Sequence, residues 1–174
     1  IAVWLRACGG NEDHDDFRVR VRGLPRKSSK DSIISLTSVQ NALNSRMDIG
    51  SIKMLPVILT CDPAWKGGDE TVIAYRQGPY IKILEKYKLT DGQTHQYTFV
   101  KMCQWEKKLR ADQIFIDQAE GTALYTLAQN MGKSNWQLIS FAGSPTDKAD
   151  GQNSQYGNLR AQMYYECNDW LQKG

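Results

Sequence analysis

The sequence has little of several features that would assign it at once to a functional class. It contains two histidines and four scattered cysteines among 174 residues, so no closely spaced set of four nitrogen or sulfur ligands is available for structural zinc. No apolar run approaches the ~18 to 20 residues of a membrane helix, and the opening IAVWLRACGG lacks the basic region and cleavage site of a signal peptide. We expect a cytosolic chain with reduced, buried cysteines.

A strong charge of one sign is also missing. The chain has 22 basic and 19 acidic residues, a net charge of +3, which does not by itself indicate a polyanionic partner. Apolar residues make up 41%, enough for the core of a single domain. Basic residues cluster after position 17, where apolar side chains alternate with arginines and predict a strand. That strand is either a phosphate-contacting ribbon or an exposed edge kept soluble by its arginines, Arg18, Arg20 and Arg22.

The hydrophobic pattern predicts a regular α/β domain from residue 56 onward. A short helix is expected near residues 35–45, with Ser35 or Ser38 as its cap. Beyond it, the continuous apolar run Val57–Cys61 predicts a strand buried on both faces. The predicted order is β-β-β-α-β-α-β-α, with strands at 57–61, 71–75, 80–87, 114–116 and 136–141. A three-strand meander followed by alternating elements indicates a mixed sheet with helices on its faces, a three-layer α/β fold.

Two aspartates follow short apolar strands, and this is the chemically informative feature. Asp62 ends VILTC and Asp117 ends IFI, and the crevice of an open α/β sheet lies at the carboxyl ends of its strands. Facing carboxylates repel each other, and a divalent metal relieves that repulsion. The pair suggests metal-dependent phosphodiester cleavage. Strand-terminal aspartates also cap the turns and helices that follow, and that alternative stays open.

Four segments carry a resemblance to one family, in the order that the family has them. ILTCDPAWKGGDETVIAYRQG resembles the motif hhxxDPAxxGxDxTVIAxRxG, where h is apolar, of the nuclease domain of phage terminase large subunits. IFIDQAEGTALYTLAQNMG and YGNLRAQMYYECNDWLQKG resemble two later blocks of that domain. FRVRVRGLPRK is similar to the connector that follows the packaging ATPase. The resemblance covers nearly the whole chain.

The resemblance implies an RNase H-like fold that cuts concatemeric viral DNA with Mg²⁺ or Mn²⁺, two ions in the complete domain. Asp62 matches the first catalytic acid and Asp117 the second. Asp69 matches a position near the metals, although it is equally interpretable as a turn residue. Glu120 replaces the family's usual glycine; it is either an extra metal neighbour or an acid favoured by the helix dipole, and we prefer the second.

The resemblance also indicates candidate DNA contacts and partners. Asn158 and Arg160 match family positions, and Arg160 either holds a phosphate or pairs with an internal acid. Trp65 lies beside Asp62, where an exposed aromatic ring could touch DNA. The expected partners are double-stranded DNA, the ATPase domain of the same parent chain, the portal and the small terminase subunit, in the cytoplasm of a bacterial host. The predicted DNA contacts are Arg160, Asn158, Lys66, Arg18, Arg20 and Arg22.

We divide the chain into a connector, 1–55, and a nuclease domain, 56–174. The family's third acid follows WLxxG in a block of the type SPDxADAL, which this sequence does not include, so we expect cleavage by this chain to be low. The late acids Glu166 and Asp169 are expected on a solvated helix face. The alternative function is a non-catalytic RNase H-like module that docks DNA or a partner of the packaging motor.

Overall fold

A computed structural model describes residues 1–24, 32–46, 48–65, 68–146 and 154–173 of the chain. The chain divides into two compact units. One comprises Ile1–Arg46 with Ala161–Gly174, and the other comprises Met47–Arg160. The division into connector and nuclease domain at residue 55 stays a prediction.

The unit Met47–Arg160 is built on a five-stranded mixed sheet. Its strands are β1 (Val57–Asp62), β2 (Thr71–Gln77), β3 (Tyr80–Tyr87), β4 (Gln113–Asp117) and β5 (Trp136–Ile139). The spatial order is β3-β2-β1-β4-β5. β1, β2 and β3 form an antiparallel meander, and β4 and β5 continue the sheet parallel to β1. The predicted α/β fold class with a mixed five-stranded sheet is confirmed.

Two helices cover one face of this sheet, because α5 (His95–Leu109) and α6 (Gln118–Asn130) are crossovers between parallel strands. Leu59 and Cys61 of β1 are buried in the core on that face. Burial, followed by the charge of Asp62, raises the pKa of the Cys61 thiol to about 12. Ile58 and Thr60 on the opposite face are only half-buried. The prediction that β1 is buried on both faces is therefore wrong for one of them.

Side chains of all these elements meet in one hydrophobic core. Its aromatic pair, Phe99 and Trp136, lies with ring centroids 5.4 Å apart. Glu106 of α5 accepts hydrogen bonds from Trp136 at 3.3 Å and Asn135 at 3.1 Å, which ties that helix to the beginning of β5. The ten buried members of the core are Leu59, Cys61, Ile73, Phe99, Met102, Ile114, Ile116, Leu124, Ala128 and Trp136.

The other unit is helical where it is described, and this corrects one prediction. Residues 17–22 do not form a strand: α2 (Asp15–Arg20) is a helix, and Phe17 is buried. The alternation of valine and arginine is outweighed by local helix signals. The His14 side chain caps the N-terminus by accepting from the Asp16 amide, and Arg18 and Arg20 lie in the last turn, where the helix dipole favours cations.

The remaining helices are α1 (Ala2–Ala7), α3 (Leu36–Asn44), α4 (Ile49–Ile52) and α7 (Leu159–Lys173). The short helix predicted near residues 35–45 is confirmed as α3, with the Ser35 side chain accepting from the Ser38 amide. No helix in the described ranges is both long and apolar enough to cross a membrane.

Candidate active site

The pairing of β1 with β4 places Asp62 and Asp117 at the same edge of the sheet. The two strands run parallel, and Cys61 lies opposite Ile116 in their register. Asp62 and Asp117 are the next residues along and the last of each strand. Successive side chains point to opposite faces of a strand, so residues at equivalent positions on parallel neighbours project together.

The two carboxyl groups open into an acidic cleft of about 410 Å³. Partial burial, followed by the negative charges of Asp117 and Asp69, raises the pKa of Asp62. The charges of Asp117 and Asp69 therefore both act on Asp62 at this edge of the sheet. The cleft is lined by Asp62, Pro63, Ala64, Trp65, Asp69, Glu70, Asp117, Ala119 and Glu120.

A buried threonine holds the loop that follows Asp62. The Thr71 hydroxyl accepts a hydrogen bond from the Ala64 amide at 3.0 Å and lies 3.4 Å from the Ala64 carbonyl. Thr71 is fully buried at the start of β2. Because leaving a polar group without a partner is costly where it is shielded from water, this pairing ties the residues directly after Asp62 to the start of β2 on one side of the cleft. Thr71 was not predicted as a site residue, because its only signal in the sequence is its place at the start of a strand.

Asp117 caps a helix, as one of the two alternatives raised by the sequence predicts, and it also borders the acidic cleft. It is the N-cap of α6, and its Oδ1 accepts from the Ala119 amide at 3.4 Å. It also lines the acidic cleft. Glu120 lies in the first turn of α6, where the helix dipole favours an acid, and it borders the same cleft. Glu120 therefore adds a carboxylate to the wall of the cleft.

A second cleft of about 450 Å³ shares Asp117 and Ala119 with the acidic one. Arg160 lines it at the start of α7. The Arg160 amide donates to the Phe141 carbonyl at 3.0 Å, and the guanidinium carbon lies 5.7 Å from the centre of the Phe141 ring. The Arg160 guanidinium therefore borders the cleft that shares Asp117, whereas Asp69 and Trp65 line only the acidic cleft.

The other predicted DNA contacts are not brought to either cleft within the described residues. Asn158 precedes α7 and lines neither cavity. Lys66 lies outside the described residues. The three connector arginines have partners within their own unit: Arg18 lies 3.6 Å from Asp13, Arg20 lies 4.8 Å from the centre of the Trp4 ring, and Arg22 lies 2.6 Å from Glu12.

One aromatic pair at the cleft was not predicted. The Trp65 ring stacks on the His95 imidazole, with centroids 4.2 Å apart and planes at 25°. Position 95 is the first residue of α5, distant from Trp65 in the sequence. No local pattern predicts that the two rings meet.

The donor set suits a hard, hydrated divalent cation. Mg²⁺ binds through one or two carboxylates and keeps several waters, and Asp62 with Asp117 supplies two carboxylates whose mutual repulsion a cation would relieve. A closed cage is not formed: in the part of the chain that the structure describes, no three His, Cys, Asp or Glu side chains are grouped closely enough to hold a metal ion. Glu70 is already paired, since a hydrogen bond from Lys86 at 2.8 Å lowers its pKa.

Solved structures share this fold. The chain is similar to a mutant nuclease domain of the large terminase subunit gp2 of bacterial virus Sf6, solved with manganese and β-thujaplicinol (20% identity, TM-score 0.61). It is also similar to a mutant of that domain with calcium (21%, 0.61) and to the nuclease domain of the same subunit (19%, 0.58). Each match covers 82% of this chain and 65% of the solved chain.

The sequence comparisons add no closer relative. No family model matches the chain, and no curated protein matches it. The chain spans 65% of the length of the solved domains that it matches. The chain therefore has the RNase H-like fold of terminase large-subunit nuclease domains.

Proposed function

We propose that this chain is the metal-dependent DNA endonuclease domain of a viral genome-packaging terminase large subunit. The observation that carries the proposal is the parallel register of β1 and β4, which ends both strands on an aspartate at one edge of the sheet. The similarity to terminase nuclease domains, two of them solved with manganese or calcium, supports it. The substrate proposed is concatemeric double-stranded DNA, and the reaction is hydrolysis of its phosphodiester bonds by a two-metal mechanism.

Each acid of the cleft has a proposed role. Asp62 and Asp117 would hold the cations, and Asp69 would orient water or assist a second ion from the loop before β2. Bound Mg²⁺ or Mn²⁺ supplies positive charge to the scissile phosphate and makes water more acidic. The hydrogen bond to the Ala119 amide keeps the Asp117 carboxylate oriented before substrate arrives, which is the preorganisation that catalysis by charge requires.

Arg160 would supply positive charge for binding DNA, which the acidic residues of the cleft cannot supply. DNA carries a phosphate at every nucleotide, and a cleft lined only by carboxylates repels it. The Arg160 guanidinium, packed on Phe141, lies in the cavity that shares Asp117 with the acidic cleft. We infer that it binds a phosphate next to the one that is cut. In the parent protein, the ATPase domain, the portal and the small subunit are the proposed partners.

Metal binding and cleavage test the proposal separately. Mg²⁺ or Mn²⁺ should raise the melting temperature of the chain, because a ligand of the folded state stabilises it by mass action. Asp62→Asn should abolish that rise and reduce nicking of supercoiled plasmid by at least about 100-fold. Asp169→Asn is the matched control, since Asp169 is an exposed residue of α7 that lines neither cleft.

Two results would contradict the proposal. One is cleavage that persists fully in a chelator. The other is cleavage by Asp62→Ala at the rate of the unmodified chain. Either result would mean that the acidic cleft is not where the phosphodiester bond breaks.

A non-catalytic module is the second candidate, and one observation favours it. Among the described residues no three metal-ligating side chains are grouped, so the fold would serve as a scaffold that docks DNA or a motor partner. Binding of duplex DNA that is insensitive to Mg²⁺ and Mn²⁺, with no nicking at any metal concentration, would support this candidate. Metal-dependent nicking that requires Asp62 would reject it.

A further inference from the structure

The stacked pair Trp65–His95 is the one feature of the acidic cleft that metal chemistry does not explain. Trp65 is 41% exposed even though His95 covers one face of its ring. It is also the large apolar side chain in a cleft whose other described lining residues are acidic or small. The core does not use it: the buried aromatic residues of this unit are Phe99 and Trp136. The exposed indole surface is therefore available to a ligand of the cleft.

The chemistry of that ligand follows from what surrounds the ring. The carboxylates repel phosphates, so the end of the cleft at Trp65 gains little attraction from a DNA backbone. An indole instead offers a π-face, which stacks on any nucleobase. A base inside duplex DNA is covered on both faces by its neighbours, so only a base that has left the stack can lie against the ring.

We propose that Trp65, supported by His95, is a stacking platform for one unstacked nucleobase of the strand whose phosphate lies at Asp62 and Asp117. This inference rests on the proposed nuclease function and adds a requirement to it: the strand is locally distorted where it enters the cleft. Arg160 then holds the backbone beyond Asp117 by charge, and Trp65 holds a base on the other side by stacking. The two contacts together define which way the strand crosses the site.

A fluorescent base tests the stacking contact without any need for cleavage. Single-stranded oligonucleotides that carry 2-aminopurine are titrated with the chain in the presence of Ca²⁺, which neutralises the carboxylates of the cleft so that they do not repel the strand. The unmodified chain should quench the probe. Trp65→Ala should lose the quenching and bind about 5- to 100-fold more weakly, the range for one base stacked on an aromatic side chain. Trp65→Phe should keep most of both, because it keeps an aromatic face.

Trp4→Ala is the matched control for these titrations. Trp4 is 38% exposed, close to Trp65, and lies outside the cleft lining. Its replacement should change neither quenching nor affinity. If Trp65→Ala behaves like Trp4→Ala, the proposal is overturned. If Trp65→Ala is unstable, Trp65→Phe and Trp65→Leu decide the question, since binding must follow the aromatic face rather than the size of the side chain.

His95 is proposed as a positioning residue that fixes the plane of the indole. His95→Ala should weaken quenching less than Trp65→Ala does, and His95→Phe should restore it, because a second aromatic ring reproduces the 4.2 Å stack. Equal quenching by the unmodified chain and His95→Ala would remove His95 from the proposal.

Cleavage assays separate this inference from the proposed function. With Mn²⁺ present, a duplex with one mismatched pair near the cut should be nicked faster than a matched duplex, and Trp65→Ala should abolish the difference. If Asp62→Asn stops nicking but Trp65→Ala changes neither binding nor the ratio of nicking rates for mismatched and matched duplex, the proposed stacking role of Trp65 is wrong. The proposed nuclease function is then retained. If quenching depends on Trp65 while nicking persists fully in a chelator or in Asp62→Ala, the proposed nuclease function is wrong and the stacking contact stands.

Discussion

Gly121 of α6 passes so close to Ile116 of β4 that a Cβ atom at position 121 would overlap the Ile116 side chain. The helix starts directly after Asp117, its N-cap and the last residue of β4, so this close approach lies about one helical turn beyond that aspartate. The side chain of Leu138 lies 3.5 Å from the same Cβ position. The absence of a side chain at Gly121 therefore allows α6 to pack closely on β4 and β5.

Gly121→Ala should destabilise the fold. Alanine favours a helix by about 0.5–1 kcal/mol relative to glycine, but overpacking a core contact costs about 1–3 kcal/mol. We expect a net loss of about 1–2 kcal/mol in the free energy of unfolding, measured by urea denaturation. Gly157→Ala is the control, because a Cβ there meets nothing within 4 Å. A Gly121→Ala variant as stable as the unmodified chain would show that α6 shifts without strain.

Replacing Asp117 in two ways should separate its cap from its charge. Asparagine caps a helix about as well as aspartate, whereas alanine costs about 1 kcal/mol. Asp117→Asn should therefore keep its stability without metal, and Asp117→Ala should melt lower. Both variants should lose the rise in melting temperature that Mn²⁺ produces. Equal melting of the two variants would mean that the 3.4 Å contact with the Ala119 amide contributes nothing to stability.

Thr71→Val should loosen the loop after β1 with little change in shape. The variant removes the hydroxyl that pairs with the Ala64 amide and carbonyl, and a buried unpaired amide costs about 1–3 kcal/mol. We expect that loss of stability in denaturant titrations, with metal binding weakened as Asp62 loses its fixed neighbour. Thr122→Val is the control, since that hydroxyl bonds one turn back on an exposed helix face. Equal losses from both variants would rule out a specific role for Thr71.

Glu106 should make the chain sensitive to acid. Burial raises the pKa of its carboxyl, but hydrogen bonds from Lys133, Asn135 and Trp136 outweigh burial, so the pKa lies below its usual 4.5. A group whose folded-state pKa is lowered contributes stability above its unfolded pKa and loses that contribution as the carboxyl gains a proton. Stability should therefore fall as the pH drops below 4.5.

Glu106→Gln is the test of that contribution. It should be less stable than the unmodified chain at pH 7, and the difference should shrink in acid when unfolding is followed by circular dichroism. A constant difference between pH 7 and pH 3.5 would mean that the proton is not taken up at Glu106.

Arg160→Ala should weaken binding of DNA of any sequence. A residue that neutralises one phosphate contributes about one unit to the slope of log affinity against log salt, so the variant should lower that slope by about 1. Arg160→Lys should keep the slope but lose part of the affinity, because a lysine does not stack on Phe141 as a guanidinium does. Lys107→Ala, on the exposed face of α5, controls for net charge. An unchanged slope in Arg160→Ala would mean that Arg160 does not bind a DNA phosphate.

Local signals in the sequence predict most of the sheet. β3 spans residues 80–87 as predicted, since Gly78 and Pro79 mark the turn before it. The short apolar runs before Asp62 and Asp117 predict where β1 and β4 end. The predicted order of elements indicates that these two strands are neighbours in the sheet. The cleft was therefore predictable in outline, because parallel strands end at one edge.

The predictions that were wrong or missing depend on interactions that a local hydrophobic pattern does not report. Around Phe17 the alternation of apolar and basic residues indicates a strand, but a six-residue helix forms because His14 caps its N-terminus and basic residues lie in its last turn. The burial of one face of β1 depends on where α5 and α6 lie. The Trp65–His95 contact joins a loop to a distant helix start, and the pairing of Thr71 with Ala64 requires the finished hairpin.

Because Asp117 both caps α6 and lines the acidic cleft, positions 62 and 117 would be constrained differently in a related chain without nuclease activity. Position 62 would be under no remaining constraint, and any small or polar residue would serve there. Position 117 would still begin α6, and asparagine, serine or threonine would be retained for stability. Loss of the acid at position 62 is therefore the more sensitive indicator that such a chain is not a nuclease. A capping residue at position 117 indicates only that α6 is still formed.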